Sequence, residues 1–107
     1  MNEKLIELQA DILRALAHPT RLKILQFLGG DEKCVCEILD ELQLEQSNVS
    51  QHLAILRQGG LVASRRDGSR VFYKVINPAV LNVLREVTNT VLQSLREMQA
   101  LLKQPEG

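Results

Sequence analysis

Cys34 and Cys36, in the stretch EKCVCEIL, are the only two cysteines of a 107-residue chain, and they stand one residue apart. A thiolate is a soft donor, so such a pair can ligate a soft ion. Two near thiols can also be oxidised, although a C-x-C disulfide closes a small strained ring. The same residues could equally be small buried hydrophobes. What they do not form is a disulfide framework, and a reducing compartment would keep them as thiols. Other chemistry is sparse. No grouping of Ser, Asp and His suggests a hydrolase and no Gly-rich phosphate loop is present, so an enzyme is not expected. His18, just before Pro19, has the position of a hydrogen-bonding residue at a helix start, and His52 divides between a phosphate contact and a packing role.

These residues need a scaffold, and the composition bounds it. A chain of this length is one domain, taken here as residues 1–107, small enough that a partner subunit would help to bury apolar surface. Its 45% hydrophobic and 24% charged fractions are those of a globular chain. No apolar run approaches the roughly 20 residues needed to cross a bilayer. The N-terminus MNEKLIELQADILRAL mixes charge with apolar residues where a signal peptide would be uninterrupted, so a cytoplasmic location without a membrane partner is expected. Net charge is zero, but its distribution is uneven. Between Gln46 and Lys74 five cations (Arg57, Arg65, Arg66, Arg70, Lys74) face one anion, Asp67, so that stretch is +4 and the remainder −4.

Apolar spacing at Leu5, Leu8, Ile12, Leu13 and Leu16 predicts a first helix over about 3–17. A second starts near Pro19, carries Leu22, Ile24, Leu25 and Leu28 inward, and stops at Gly29-Gly30. A third spans about 35–42, with Ile38, Leu39 and Leu42 inward. In QLEQSNVSQHLAILRQGGLV, Ser47 is the expected cap, Val49, Leu53 and Leu56 form the inward stripe, and Gly59-Gly60 ends the helix. LVASRRDGSRVFYKV then predicts two strands about a tight Asp67-Gly68 turn. Pro78 opens a long last helix in which Val80, Leu84, Val87, Val91, Leu95, Met98 and Leu102 recur every three or four residues, further than a small domain needs to cover.

The expected fold is therefore mainly α with a small β-hairpin, a winged helix-turn-helix. Its second short helix fits a major groove, and a hairpin bearing Arg65, Arg66 and Arg70 can reach a minor groove or phosphates. Gln46, Ser47, Asn48, Ser50, Gln51 and His52 are placed on the outward face of that helix; Gln and Asn can pair bidentately with adenine, and Ser hydroxyls suit phosphates or base edges. From composition alone, a merely solvated helix face and an ordinary hairpin surface would look the same.

LAHPTRLKILQFL, CVCEIL, QSNVSQHLAILRQGGLV and RRDGSRVFYKV, in that order and at these intervals, resemble the ArsR/SmtB family of dimeric metal-responsive transcriptional repressors. The likeness runs from about residue 10 to 80. It implies a homodimer through the first and last helices that binds an inverted-repeat operator in double-stranded DNA and lets go when an inducer binds, with no organic cofactor.

Within that resemblance, C-V-C at the start of the helix before the reading helix is similar to the thiolate site of arsenic- and antimony-responsive members, which makes Cys34 and Cys36 the expected ligands of As(III) or Sb(III). Trivalent arsenic favours three sulfurs, and the third cysteine such sensors often carry is Leu39 here, leaving that place to an external thiol, water or hydroxide. Cadmium- and lead-responsive relatives draw further cysteines from the N-terminal arm, and residues 1–33 have none. Zinc-responsive members use His on the last helix, absent from 78–107. Because positions i and i+2 of a helix point apart, ligation is expected to distort the helix end. A thiol-redox effector, or cadmium or lead, is the alternative.

Overall fold

The computed structural model describes residues 2–103. Helix α1 (Glu3–Leu16) is capped by Asn2, whose side chain accepts from the amides of Lys4 and Leu5. Helix α2 (Pro19–Leu28) has Pro19 in its first turn, where no amide hydrogen is needed. His18 is its cap, with Nδ1 accepting from Thr20 N–H at 3.1 Å. A two-residue strand β1 (Lys33–Cys34) leads into α3 (Val35–Leu42), then come α4 (Gln46–Gln58), β2 (Val62–Asp67), β3 (Arg70–Val75) and α5 (Ala79–Lys103).

Helices α3 and α4 form the helix-turn-helix, and the backbone at Gln43 makes the turn. With φ 54° Gln43 is the one non-glycine in the left-handed region among the described residues, and its amide closes on Leu39 O at 2.9 Å. The expected cap at Ser47 is displaced: the helix starts two residues earlier, Glu45 is the capping position, and no side chain caps it.

The sheet is three-stranded and antiparallel in the order β1-β3-β2, where only a hairpin was expected. Two residues between turn signals are too short for periodicity to register, so β1 exists only because β3 offers it an edge: Lys33 pairs with Tyr73 and Cys34 with Phe72. The hairpin turn is Gly68-Ser69, one residue beyond the expected Asp67-Gly68, since Asp67 already pairs with Arg70. Gly68 takes φ 62°, which a side chain would disfavour.

Ile24, Leu25, Leu28, Ile38, Val49, Leu53, Leu56 and Val62 are buried in one core between the helices and the sheet. Burying one such side chain contributes about 1.5–3 kcal/mol. Helix α5 contributes only Leu84 as a buried residue. Val87, Val91, Leu95 and Met98 are each at least half exposed, and on α1 Leu5, Leu8, Ile12 and Leu13 are exposed as well. The radius of gyration is 17.5 Å, against about 13 Å for a compact domain of this length. Helices α1 and α5 thus carry apolar faces that the chain itself leaves open. Among the described residues, no helix is long and apolar enough to cross a membrane.

Candidate thiol site and nucleic-acid interface

Cys34 is not inside α3 but caps it, with extended backbone (φ −75°, ψ 157°). Its Sγ accepts from Glu37 N–H at 3.2 Å, and Glu37 Oε1 accepts from Cys34 N–H at 3.0 Å. This is a capping box in which cysteine takes the place of serine. Because the cap position turns away from the helical path, Cys34 and Cys36 converge: their Cα atoms are 5.2 Å apart and their sulfurs are joined as a disulfide. The two side chains therefore meet without any distortion of the α3 helix end in this state. The rule about i and i+2 applies between helical residues, and one of this pair is not helical. Cys34 is buried and Cys36 exposed.

The pair lies on the wall of a cavity of about 410 Å³, which α4 lines with Gln46, Ser50 and Leu53, and the wing with Arg70, Val71 and Tyr73. Anything added at the sulfurs thus adjoins both elements expected to touch DNA. Leu39, standing where a third cysteine was looked for, is also in the wall. No group of three or more His, Cys, Asp or Glu that could hold a metal occurs among the described residues.

Gln46, Ser47, Asn48, Ser50 and Gln51 are all exposed on α4, as expected. His52 is not. It is 9% exposed, packed with its ring centroid 4.2 Å from that of His18. Arg21 Nη1 lies 3.1 Å from His52 Nδ1, and since guanidinium can only donate, that nitrogen must be the unprotonated acceptor. Arg21 also donates to the carbonyls of Ala15 (2.6 Å) and Arg14 (3.2 Å), so one side chain ties the end of α1 to the reading helix. Neither Arg21 nor its role was legible in the sequence, and helical spacing put His52 on the outward face, which its burial against His18 and Arg21 corrects.

Burial, then the neighbouring His18 and Arg21, hold the His52 pKa below its ordinary 6.5. The neutral form is the one that fits, so its contribution to stability is present above the unfolded value and is lost as pH falls from there through the lower folded value. Denaturant midpoints should therefore drop as pH falls below about 6.5, and less so in His52→Gln; equal drops in both would place the sensitivity elsewhere.

The wing arginines divide. Arg66 and Arg70 are exposed, and no carboxylate among the described residues lies within ion-pair distance of either. Arg65, expected beside them on DNA, is instead forked onto Glu32 with contacts of 2.6–3.0 Å. Sequence reasoning missed Glu32, because nothing local relates it to a residue 33 positions away.

A helix-turn-helix with an exposed polar reading helix and a basic three-stranded wing defines a DNA-binding transcription regulator. Residues 18–64 match the model of the bacterial regulatory protein, arsR family. The chain is 36% identical over 95% of its length, and 90% of the relative's, to the uncharacterized HTH-type transcriptional regulator Rv0081 of Mycobacterium tuberculosis. It superposes on the crystal structure of Rv0081 with a TM-score of 0.79, covering 91% of this chain and 98% of that one. The homodimeric winged helix-turn-helix domain Mb0332 of Mycobacterium bovis gives a TM-score of 0.78 at 28% identity, covering 91% and 93%. A probable mercury resistance operon repressor of Streptomyces lividans is 41% identical over 70% of this chain and 60% of its own length. The chain belongs to the ArsR/SmtB family of transcriptional regulators, which are not enzymes.

Proposed function

We propose that this chain is a cytoplasmic repressor that binds an inverted-repeat operator as a homodimer and releases it when As(III) or Sb(III) is held by Cys34 and Cys36. The carrying observation is that Cys34 and Cys36, with Cα atoms 5.2 Å apart, share the wall of one cavity with the reading helix and the wing, so that the reduced pair would present both thiolates there. Two soft thiolates from adjoining positions suit a soft trivalent ion, and the third position would be filled from outside the protein. The apolar faces of α1 and α5 suit pairing of two copies, with reading helices meeting successive major grooves roughly 34 Å apart. The name of the mercury resistance relative supports a soft thiophilic effector for this one.

A second reading has its own observation. Cysteines whose Cα atoms are 5.2 Å apart, with no group of three or more metal-ligating residues among the described residues, also suit two-electron oxidation of the two thiols to a disulfide, the oxidant taking up the electrons. Operator gel shifts separate the two: arsenite should release the reduced protein under anaerobic conditions. Release by peroxide and not by arsenite would install the redox reading, and release by neither would remove both.

DNA contacts are assigned to Gln46, Ser47, Asn48, Ser50 and Gln51 on α4 and to Arg66 and Arg70 on the wing. Arg66→Ala and Arg70→Ala should each weaken binding to all sequences and flatten the log–log salt slope by about 0.9. Gln46→Ala or Gln51→Ala should instead change sequence preference, by about 1–3 kcal/mol at a good base contact. Unchanged slopes in both arginine variants would move the phosphate contacts off the wing.

A further inference from the structure

We infer that Arg65 is a positioning residue, not a DNA contact: with Glu32 and Phe72 it clips the cysteine-bearing strand to the wing, so that a change at Cys34 is passed to the wing. The inference rests on the thiol-switched reading above. Arg65 Nε reaches both Glu32 oxygens at 3.0 and 2.9 Å, and Nη2 reaches Oε1 at 2.6 Å. The guanidinium also lies 4.6 Å from the centroid of the Phe72 ring. Phe72 is the cross-strand partner of Arg65 on one side and of Cys34 on the other. Glu32 precedes Cys34 by two residues. One side chain on β2 therefore spans β3 and grips the chain just ahead of the thiol cap.

Three features separate this arginine from an ordinary surface cation. Its charge is already matched, by Glu32 and by Asp67 at 3.9 Å, whereas Arg66 and Arg70 have no such partner among the described residues. Its planar fork is held twice over, by a two-oxygen grip and by an aromatic face, which a lysine could not reproduce. It is also half exposed, where an ion pair adds little to stability, so what the arrangement supplies is registration between β1 and β2. Strand β1 has only two residues and correspondingly few ladder bonds of its own to keep that registration.

The test uses the full-length protein, operator titrations over a range of salt, and arsenite as the probe. Compared are wild type, Arg65→Ala, Glu32→Gln and the exchange Glu32→Arg with Arg65→Glu. As a clip, Arg65 can be removed with a change in salt slope well below the roughly 0.9 expected for a lost phosphate contact. Arsenite should lower wild-type operator affinity by about 5- to 150-fold, both single variants should shrink that to within about twofold, and the exchange should restore most of it. Arg65→Ala flattening the slope by one contact while Glu32→Gln tightens binding would overturn the inference, because Arg65 would then be a phosphate contact. Single variants released as fully as wild type would overturn it too. A wild type insensitive to arsenite and to peroxide would be the separate failure of the thiol-switched reading, and the salt arm would still decide whether Arg65 touches DNA.

Discussion

Cys34→Ser and Cys36→Ser are each expected to keep operator affinity near that of wild type and to abolish release by arsenite. Serine is close to cysteine in size but lacks the soft thiolate, so it separates ligation from packing. The structure sharpens the expectation at position 34. Cys34 Sγ accepts from Glu37 N–H as the helix cap, and a serine hydroxyl is the better-suited acceptor in that box. The buried hydroxyl would not be left unsatisfied, and the start of α3 should hold. Cys36 is exposed, so its replacement disturbs no core. Neither thiol lies among the outward α4 residues. The expected loss is therefore the whole inducer response, about 5- to 150-fold in operator affinity for a typical coupling, with DNA in turn weakening inducer binding by the same factor. Gel shifts with increasing arsenite measure it. Serine variants released at the wild-type arsenite concentration would remove the thiol site.

Val91→Glu together with Leu95→Glu is expected to separate the subunits and to lower operator affinity by about 10²- to 10⁴-fold, the advantage of engaging two half-sites from one molecule. Both side chains are half exposed in the single chain, so glutamate there should leave each monomer folded, while an apolar interface would have to bury two charges per subunit. Sedimentation reports the monomer, and a gel shift reports the lost affinity. A variant that sediments like wild type and binds like it would show that this face of α5 is not the interface.

Much of this architecture was written in local pattern. Helical spacing marks all five helices, with starts within about two residues, because each must turn an apolar stripe inward or toward another surface. The surplus stripe on α5 is legible for the same reason: Val87, Val91, Leu95 and Met98 continue a period that the small core cannot use. The C-x-C pair stands out through scarcity and spacing, and the basic stretch through charge count.

What periodicity could not supply is anything set by residues meeting from distant parts of the chain. Strand β1 is too short to have a period and forms because β3 presents an edge. His52 sits at the margin of a helical face, and its inward position is decided by His18 and Arg21 from another helix. Arg65 looked like its neighbour Arg66 until Glu32, 33 residues away, was brought against it. The convergence of Cys34 and Cys36 had the same kind of cause. The i, i+2 rule treats both as helical, whereas the pairing of β1 with β3 holds Cys34 in extended backbone at the cap, and that one backbone conformation brings the two side chains together.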